Sequence, residues 1–232
     1  GFVLRGNTLD SEIFNTVVNE NQYGLPERFR STDVVVDLGA HIGSFAYTCY
    51  KRGARTILAF EPDEENFKLA RINLQPLGAR VRVYATAVWR SDRHPTNLIH
   101  SGYNGVDPKI DTGSGTVLVQ SAKHSDQPRN LVPCVELDKV LQRFKRVRLL
   151  KFACAGAEWP ILSTAKELGR VEAICGKYQE VIKLPSFAVV NGITRYRRVD
   201  LEQLLKRYYH HIEFKPHSKH SGIFWAWNRI VR

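Results

Sequence analysis

The sequence has no methionine, no Cys-x-x-Cys pair and no apolar run approaching the ~20 residues that cross a bilayer. Its four cysteines, Cys49, Cys134, Cys154 and Cys175, stand far apart in apolar or strand-like surroundings. That spacing argues against structural zinc and against a disulfide framework, and for reduced thiols in a cytoplasmic compartment. The opening Gly1-Phe2-Val3-Leu4-Arg5 lacks the basic, apolar and small-residue order of a signal peptide, and the missing initiator methionine reads as trimmed ends. Internal repeats and low-complexity segments are absent too. Acidic residues are in deficit: 23 Asp and Glu face 34 Lys and Arg, a formal net charge of +11. Basic clusters fall at 143–148 (RFKRVR), 195–198 (RYRR) and Lys206-Arg207. Such a surplus suits an anionic substrate, an acidic partner or nucleic acid, and leaves a membrane without an anchor.

What is present is ordinary globular material. With 232 residues, 43% hydrophobic and 25% charged, the chain can bury one full core, so a single domain over 1–232 is expected. The run Val34-Val35-Val36-Asp37-Leu38 has β-branched residues up to an acid, then Gly39-Ala40-His41-Ile42-Gly43, then a helical pattern at 44–52 stopped by Gly53. This is a buried parallel strand feeding a ligand-binding turn. A second strand at 56–60 ends at Glu61-Pro62. An acidic turn, Asp63-Glu64-Glu65, opens a helix to about Gln75, and 81–89 alternates as a third strand. The first ninety residues thus spell a βαβαβ half of a doubly wound α/β sheet.

Around this half, 1–32 reads as a leading segment with a short helix from Asp10 or Ser11 through Asn19. Residues 90–130 read as an inserted hairpin or flap with a polar tip. Then come an extended piece at 132–136, a short helix at 137–144, strands at 149–154 and 171–178 around a helix at 157–168, a linker near 185–192, a helix at 199–209 and a closing strand pair at 211–215 and 222–228.

The turn spacing is Gly39-x-x-x-Gly43, without GxGxxG, and His41 stands where many nucleotide loops carry a middle glycine. Glu61, at the tip of the second strand, is where a carboxylate accepts the two hydroxyls of a ribose. Both NAD and S-adenosylmethionine fit such an acid. Asp37, just under the loop, favours S-adenosylmethionine, whose amino-acid end is cationic, over a pyrophosphate that it would repel. The histidines at 210, 211, 217 and 220 lack metal-site spacing and read as solvated turn residues, so no metal is expected. His94, His100 and His124 lie in the flap, from which one could reach over a site as a base.

Four stretches in order, 34–43 (VVVDLGAHIG), 59–67 (AFEPDEENF), 150–162 (LKFACAGAEWPIL) and 173–180 (AICGKYQE), resemble the successive motifs of the FkbM-type methyltransferases. The resemblance implies a Rossmann-like class I methyltransferase. Its seven-stranded, mostly parallel sheet runs in the order 3-2-1-4-5-7-6, with an antiparallel last strand and helices on both faces. It also implies S-adenosylmethionine as methyl donor and a small-molecule hydroxyl, on a sugar or natural product, as acceptor. By position, Asp37, Gly39, Ala40, His41 and Gly43 surround the methionine end of the cofactor, Glu61 holds the ribose, and Thr86 and Ala87 lie along the adenine.

The second half departs from the family. The usual Asp-x-Glu-Gly-Ala-Glu reads Ala153-Cys154-Ala155-Gly156-Ala157-Glu158 here, and Lys177 and Gln179 stand where Glu and His are common. A hydroxyl acceptor needs a group to take its proton, which alanine cannot do and glutamine does poorly. Glu158 and Gln179 remain as the candidate catalytic residues of a site expected to be impaired. Either an active enzyme has had its acids replaced, or a lapsed methyltransferase serves as a basic binding or scaffold subunit, with RNA among its partners.

Overall fold

The β-branched run is strand β1 (Val34–Leu38), which pairs in parallel with β2 (Thr56–Phe60) on one side and β9 (Leu149–Phe152) on the other. Flanked on both sides, it can carry apolar residues on both faces, and Val35 and Val36 are each completely buried, one in each of the two core layers. In the computed structural model, the described residues are 1–92, 98–100, 118–120, 131–154, 156–184 and 188–228, with backbone alone at 98–100, 118–120 and 131.

The sheet continues outward through β3 (Val81–Tyr84), parallel to β2, and β10 (Ala173–Gln179), parallel to β9. Then β12 (Ser221–Trp227) pairs antiparallel with both β10 and β11 (His211–Pro216). The order is β3-β2-β1-β9-β10-β12-β11, the expected seven-stranded arrangement with an antiparallel closing strand. Chain order reverses between β1 and β9, and a crevice opens above the carboxyl ends of strands at such a switch point.

One face is covered by α2 (Ser44–Lys51), α3 (Glu64–Leu74) and the leading segment, in which α1 (Asp10–Phe14) runs into a single π turn at Asn15–Asn19. Phe45, Cys49, Leu74, Val17 and Tyr23 meet Val35 and Ile57 there. The other face carries α4 (Leu137–Leu141), α5 (Glu158–Thr164) and α6 (Arg198–Leu205), which bury Trp159, Leu201 and Leu141 against Val36, Phe152 and Phe224. Asp63 caps α3 as the acidic turn suggested, its Oδ1 accepting the Asn66 N–H at 2.7 Å.

Three expectations need correction. The stretch 81–89 is two strands: the chain bends after Tyr84, and β4 (Ala87–Trp89) leaves the main sheet to pair in parallel with β8 (Cys134–Glu136). The helix expected at 157–168 stops at Thr164, because the Asp138 carboxylate accepts the N–H groups of Lys166 and Glu167 at 3.0 and 3.1 Å. The helix expected at 199–209 ends at Leu205. Of the flap, β5 (Leu98–His100) pairs antiparallel with β6 (Leu118–Gln120) and β7 (Leu131–Val132); the polar tip, His94, His124 and the His100 side chain lie outside the described residues.

Candidate active site

The turn after β1 is built from three left-handed residues in alternation: Gly39 at φ 75°, His41 at φ 52° and Gly43 at φ 94°. A Cβ on Gly39 would run into the carbonyl of Ala153, so glycine lets the loop press against the end of β9. His41 carries a side chain in a conformation that costs about 1–3 kcal/mol for an L-residue. What holds it there is Glu61: the His41 N–H donates to Glu61 Oε2 at 2.6 Å, while Oε1 accepts the Asp63 N–H at 3.0 Å. Burial pushes the Glu61 carboxyl up to about 7.

The His41 ring is fastened from the leading segment. Its Nε2 lies 3.4 Å from Asp10 Oδ1, and Arg5 grips Asp10 through Nε and Nη2, each at 2.9 Å, while reaching Asn66 Oδ1 at 2.7 Å. Burial draws the imidazole down to about 4, so it is neutral at physiological pH. Its Nδ1 is buried without a partner, as is the hydroxyl of Ser44 at the start of α2.

Under the loop, the structure corrects the reading of Asp37. Its side chain is 0% exposed, and Lys151 of the neighbouring strand, its register partner, places Nζ 2.9 Å from Oδ1. The same ammonium donates to the Gly39 carbonyl at 2.7 Å and lies 5.6 and 5.5 Å from the ring centres of Tyr23 and Phe45. Burial opposes its charge, but the Asp37 carboxylate outweighs it and holds the lysine pKa above the usual range. Asp37 thus answers a cation of the protein itself, and its role is to anchor the loop.

A cavity of about 110 Å³ opens at the switch point, walled by the turn, the leading segment, the carboxyl ends of β9 and β10 and the β11–β12 turn. It brings together Gly39, Ala40 and His41 with Ala153, Glu158, Lys177 and Gln179. Asp37, Gly43, Glu61, Thr86 and Ala87 are not on its wall: Gly43 is packed against Leu74, Glu61 braces the loop from behind, and Ala87 is buried in β4. Ala155 lies outside the described residues.

Glu158 opens α5 and is 1% exposed as a residue. Its Oε2 accepts the Gly156 N–H at 2.8 Å and its Oε1 the Gln179 N–H at 3.1 Å, so it straps the β9–α5 turn to the tip of β10. Burial raises its carboxyl to about 7, which suits a group that must both take up and release a proton near neutrality. Trp159 completes the strap, its Nε1 donating to the Gln179 carbonyl at 2.7 Å.

Sequence reasoning missed Lys151 and Ser44, and the wall supplied by Val17, Gln22 and Tyr23. The signal for Lys151 was there: a lysine inside the apolar strand Leu149–Phe152 needs a buried counter-charge. His217 also lines the cavity, while His211 stacks on Trp227 and His220 pairs with Glu180 at 3.0 Å. Among the described residues, no group of three or more His, Cys, Asp or Glu could hold a metal, and no helix is long and apolar enough to cross a membrane.

The model of the methyltransferase FkbM domain family matches residues 37–192. No curated protein matches the sequence. Among solved structures, the chain is similar to methyltransferase FkbM from Methylobacillus flagellatus KT, at 14% identity and a TM-score of 0.52, over 86% of this chain and 44% of that one. The chain therefore spans less than half the length of that protein. The N-terminal domain of EvdMO1, solved in the presence of SAH and D-fucose, aligns at 13% identity and a TM-score of 0.47 over 94% of this chain and 82% of that one. At these identities the structural likeness concerns the fold.

Proposed function

Because the chain belongs to the FkbM methyltransferase family, a family of S-adenosylmethionine-dependent enzymes, we propose that its site methylates a hydroxyl group of a small molecule. The observation that carries this reading is Glu158, a buried carboxyl with a pKa of about 7 on the same cavity wall as the loop residues Gly39 to His41.

The loop residues on the cavity wall suit the amino-acid end of the cofactor. His41 Nδ1 and Ser44 Oγ are buried without partners, and such groups cost about 1–3 kcal/mol each unless a ligand answers them. Ser44 stands at the N-terminus of α2, where a carboxylate is favoured, so Ser44 and His41 are assigned to the amino-acid end of the cofactor. Gly39 and Ala40 give the close backbone approach. The lone pairs of Glu61 not engaged by His41 and Asp63 are assigned to the ribose hydroxyls; the adenine role of Thr86 and Ala87 rests on the family resemblance alone, since neither lines the cavity. When bound, S-adenosylmethionine supplies the methyl group.

The acceptor end belongs to Glu158, which takes the hydroxyl proton, and to Lys177 and Gln179, which orient the acceptor. An acid at 153 would stand on the same wall, and its replacement by alanine leaves Glu158 to act alone, so turnover is slow. Attraction of an anionic acceptor to Lys177 fits the net positive charge.

Calorimetry with S-adenosylhomocysteine tests the cofactor assignment, with binding expected and silence at millimolar ligand overturning it. The variant Ala153→Asp with Ala155→Glu tests the acceptor end on a panel of hydroxylated compounds. Faster turnover than the parent is expected; no turnover by either protein would favour a scaffold.

A further inference from the structure

The opposite end of the sheet carries an unbalanced charge. At the amino ends of β2 and β3, two adjoining depressions share Arg55. One is lined by Arg28, Arg30 and Arg55, the other by Arg55, Arg80, Arg82 and Arg143. Among the described residues, none of these six arginines forms an ion pair with a carboxylate. Arg28, Arg30, Arg80, Arg82 and Arg143 are exposed.

The contrast with the clusters singled out in the sequence is direct. In 143–148, Arg146 and Arg148 are bound to Glu172 at 2.9 and 3.0 Å, and both also lie within 4 Å of the buried Asp33. In 195–198, Arg197 lies 3.5 Å from Asp200, and Arg198 sits over the Phe214 ring. Those charges are answered within the fold. The six arginines at the foot of the sheet, Arg143 of the first cluster among them, come from segments distant in sequence and repel one another without a carboxylate ion pair among the described residues.

We propose that this foot is a docking surface for the phosphodiester backbone of a nucleic acid. The guanidinium fork takes two oxygens of a phosphate at once, and six of them line two depressions that meet at Arg55, which together form the proposed track. Arg55 is already oriented, its Nη1 donating to the carbonyls of Tyr50 and Ala54 at 3.1 and 2.9 Å and its guanidinium lying 4.7 Å from the Tyr50 ring centre. The half-buried aromatics Tyr50 and Phe144 flank the track, and a base can stack on such a ring. A membrane surface is disfavoured because the exposed large apolar residues, Val3, Leu4, Ile72, Ile182, Ile193 and Val199, all lie off the track. The surface stands at the far end of the strands from the catalytic cavity, so it does not depend on the proposed chemistry.

Fluorescence anisotropy with labelled oligo(U) and oligo(dT) of about 20 nucleotides, read between about 50 and about 200 mM salt, tests this. Affinity is expected to fall roughly 50-fold across that range, as about four phosphate contacts on a single strand require. Preference for the RNA or the DNA strand would identify the source of the phosphodiester and support the proposal either way. The variant R28Q/R30Q/R80Q/R82Q changes exposed side chains alone; it should lose most of the affinity and flatten the salt slope while keeping the melting temperature of the parent. Salt-insensitive binding, a variant that binds like the parent, or capture of phosphatidylserine vesicles without oligonucleotide binding would overturn it.

Discussion

The backbone N–H of His41 donates to Glu61 Oε2 across the tips of β1 and β2, at 2.6 Å. A residue of the ligand-binding turn is thus held in a left-handed conformation by the acid otherwise assigned to a ribose. Glu61 braces the loop before any ligand arrives, and the ribose role proposed for it would be a second task.

Glu61→Gln should therefore damage binding and stability together. The amide keeps one acceptor and turns an N–H toward a donor, a loss of about 1–3 kcal/mol. A lower denaturation midpoint together with weaker S-adenosylhomocysteine binding is expected; unchanged melting would remove the bracing role.

Lys151→Met leaves Asp37 buried without its counter-charge, at a cost of about 3–5 kcal/mol in urea denaturation. Adding Asp37→Asn should restore most of it, since the penalty comes from an uncompensated charge. A double variant as unstable as the single one would show that Lys151 acts through packing on Tyr23 and Phe45.

Gly39→Ala combines a left-handed φ with a Cβ driven into the Ala153 carbonyl. Because backbone faces backbone, relief requires the loop to lift off β9, and more than about 1 kcal/mol of stability should go with it. Thermal melts beside Gly78→Ala, also left-handed but with open space around its Cβ, separate strain from clash.

The pH dependence of turnover should follow Glu158. As the proposed proton acceptor it must be ionised, so kcat should climb with pH toward a plateau above about 7, and Glu158→Gln should remove that limb. Stability runs the other way. The folded carboxyl sits at about 7 against 4.5 unfolded, so between those values folding favours the protonated form, and this contribution is lost as pH rises. Glu61 adds to the same slope. His41, depressed to about 4 from 6.5, opposes it, its contribution being lost as pH falls through that range.

Much of the sheet could be read in advance. The strands at 34–38 and 56–60, the stop at Gly53 and the acidic cap at Asp63 are local signals, each a choice that a few neighbouring residues make for themselves. The misreadings share a cause. The bend after Tyr84 is set by β8, nearly fifty residues later, and the end of α5 by Asp138, one helix earlier. Asp37 looked like a cofactor ligand because its spacing to Gly39 is right; that its charge is already answered depends on a lysine more than a hundred residues away.

The sequence by itself determined the family, through the order of its motifs, and the first strands and the tight turn after β1, because hydrophobic period and glycine placement are properties of neighbours along the chain; the order of the strands followed from the family resemblance. Only the tertiary structure decided which charges are answered. It pairs Asp37 with Lys151 and Arg148 with Glu172, lets Glu158 face the cavity with a raised pKa, and leaves the arginines at the foot of the sheet without a carboxylate ion pair among the described residues. Electrostatic energy depends on separation and burial in space, and neither can be measured along a sequence.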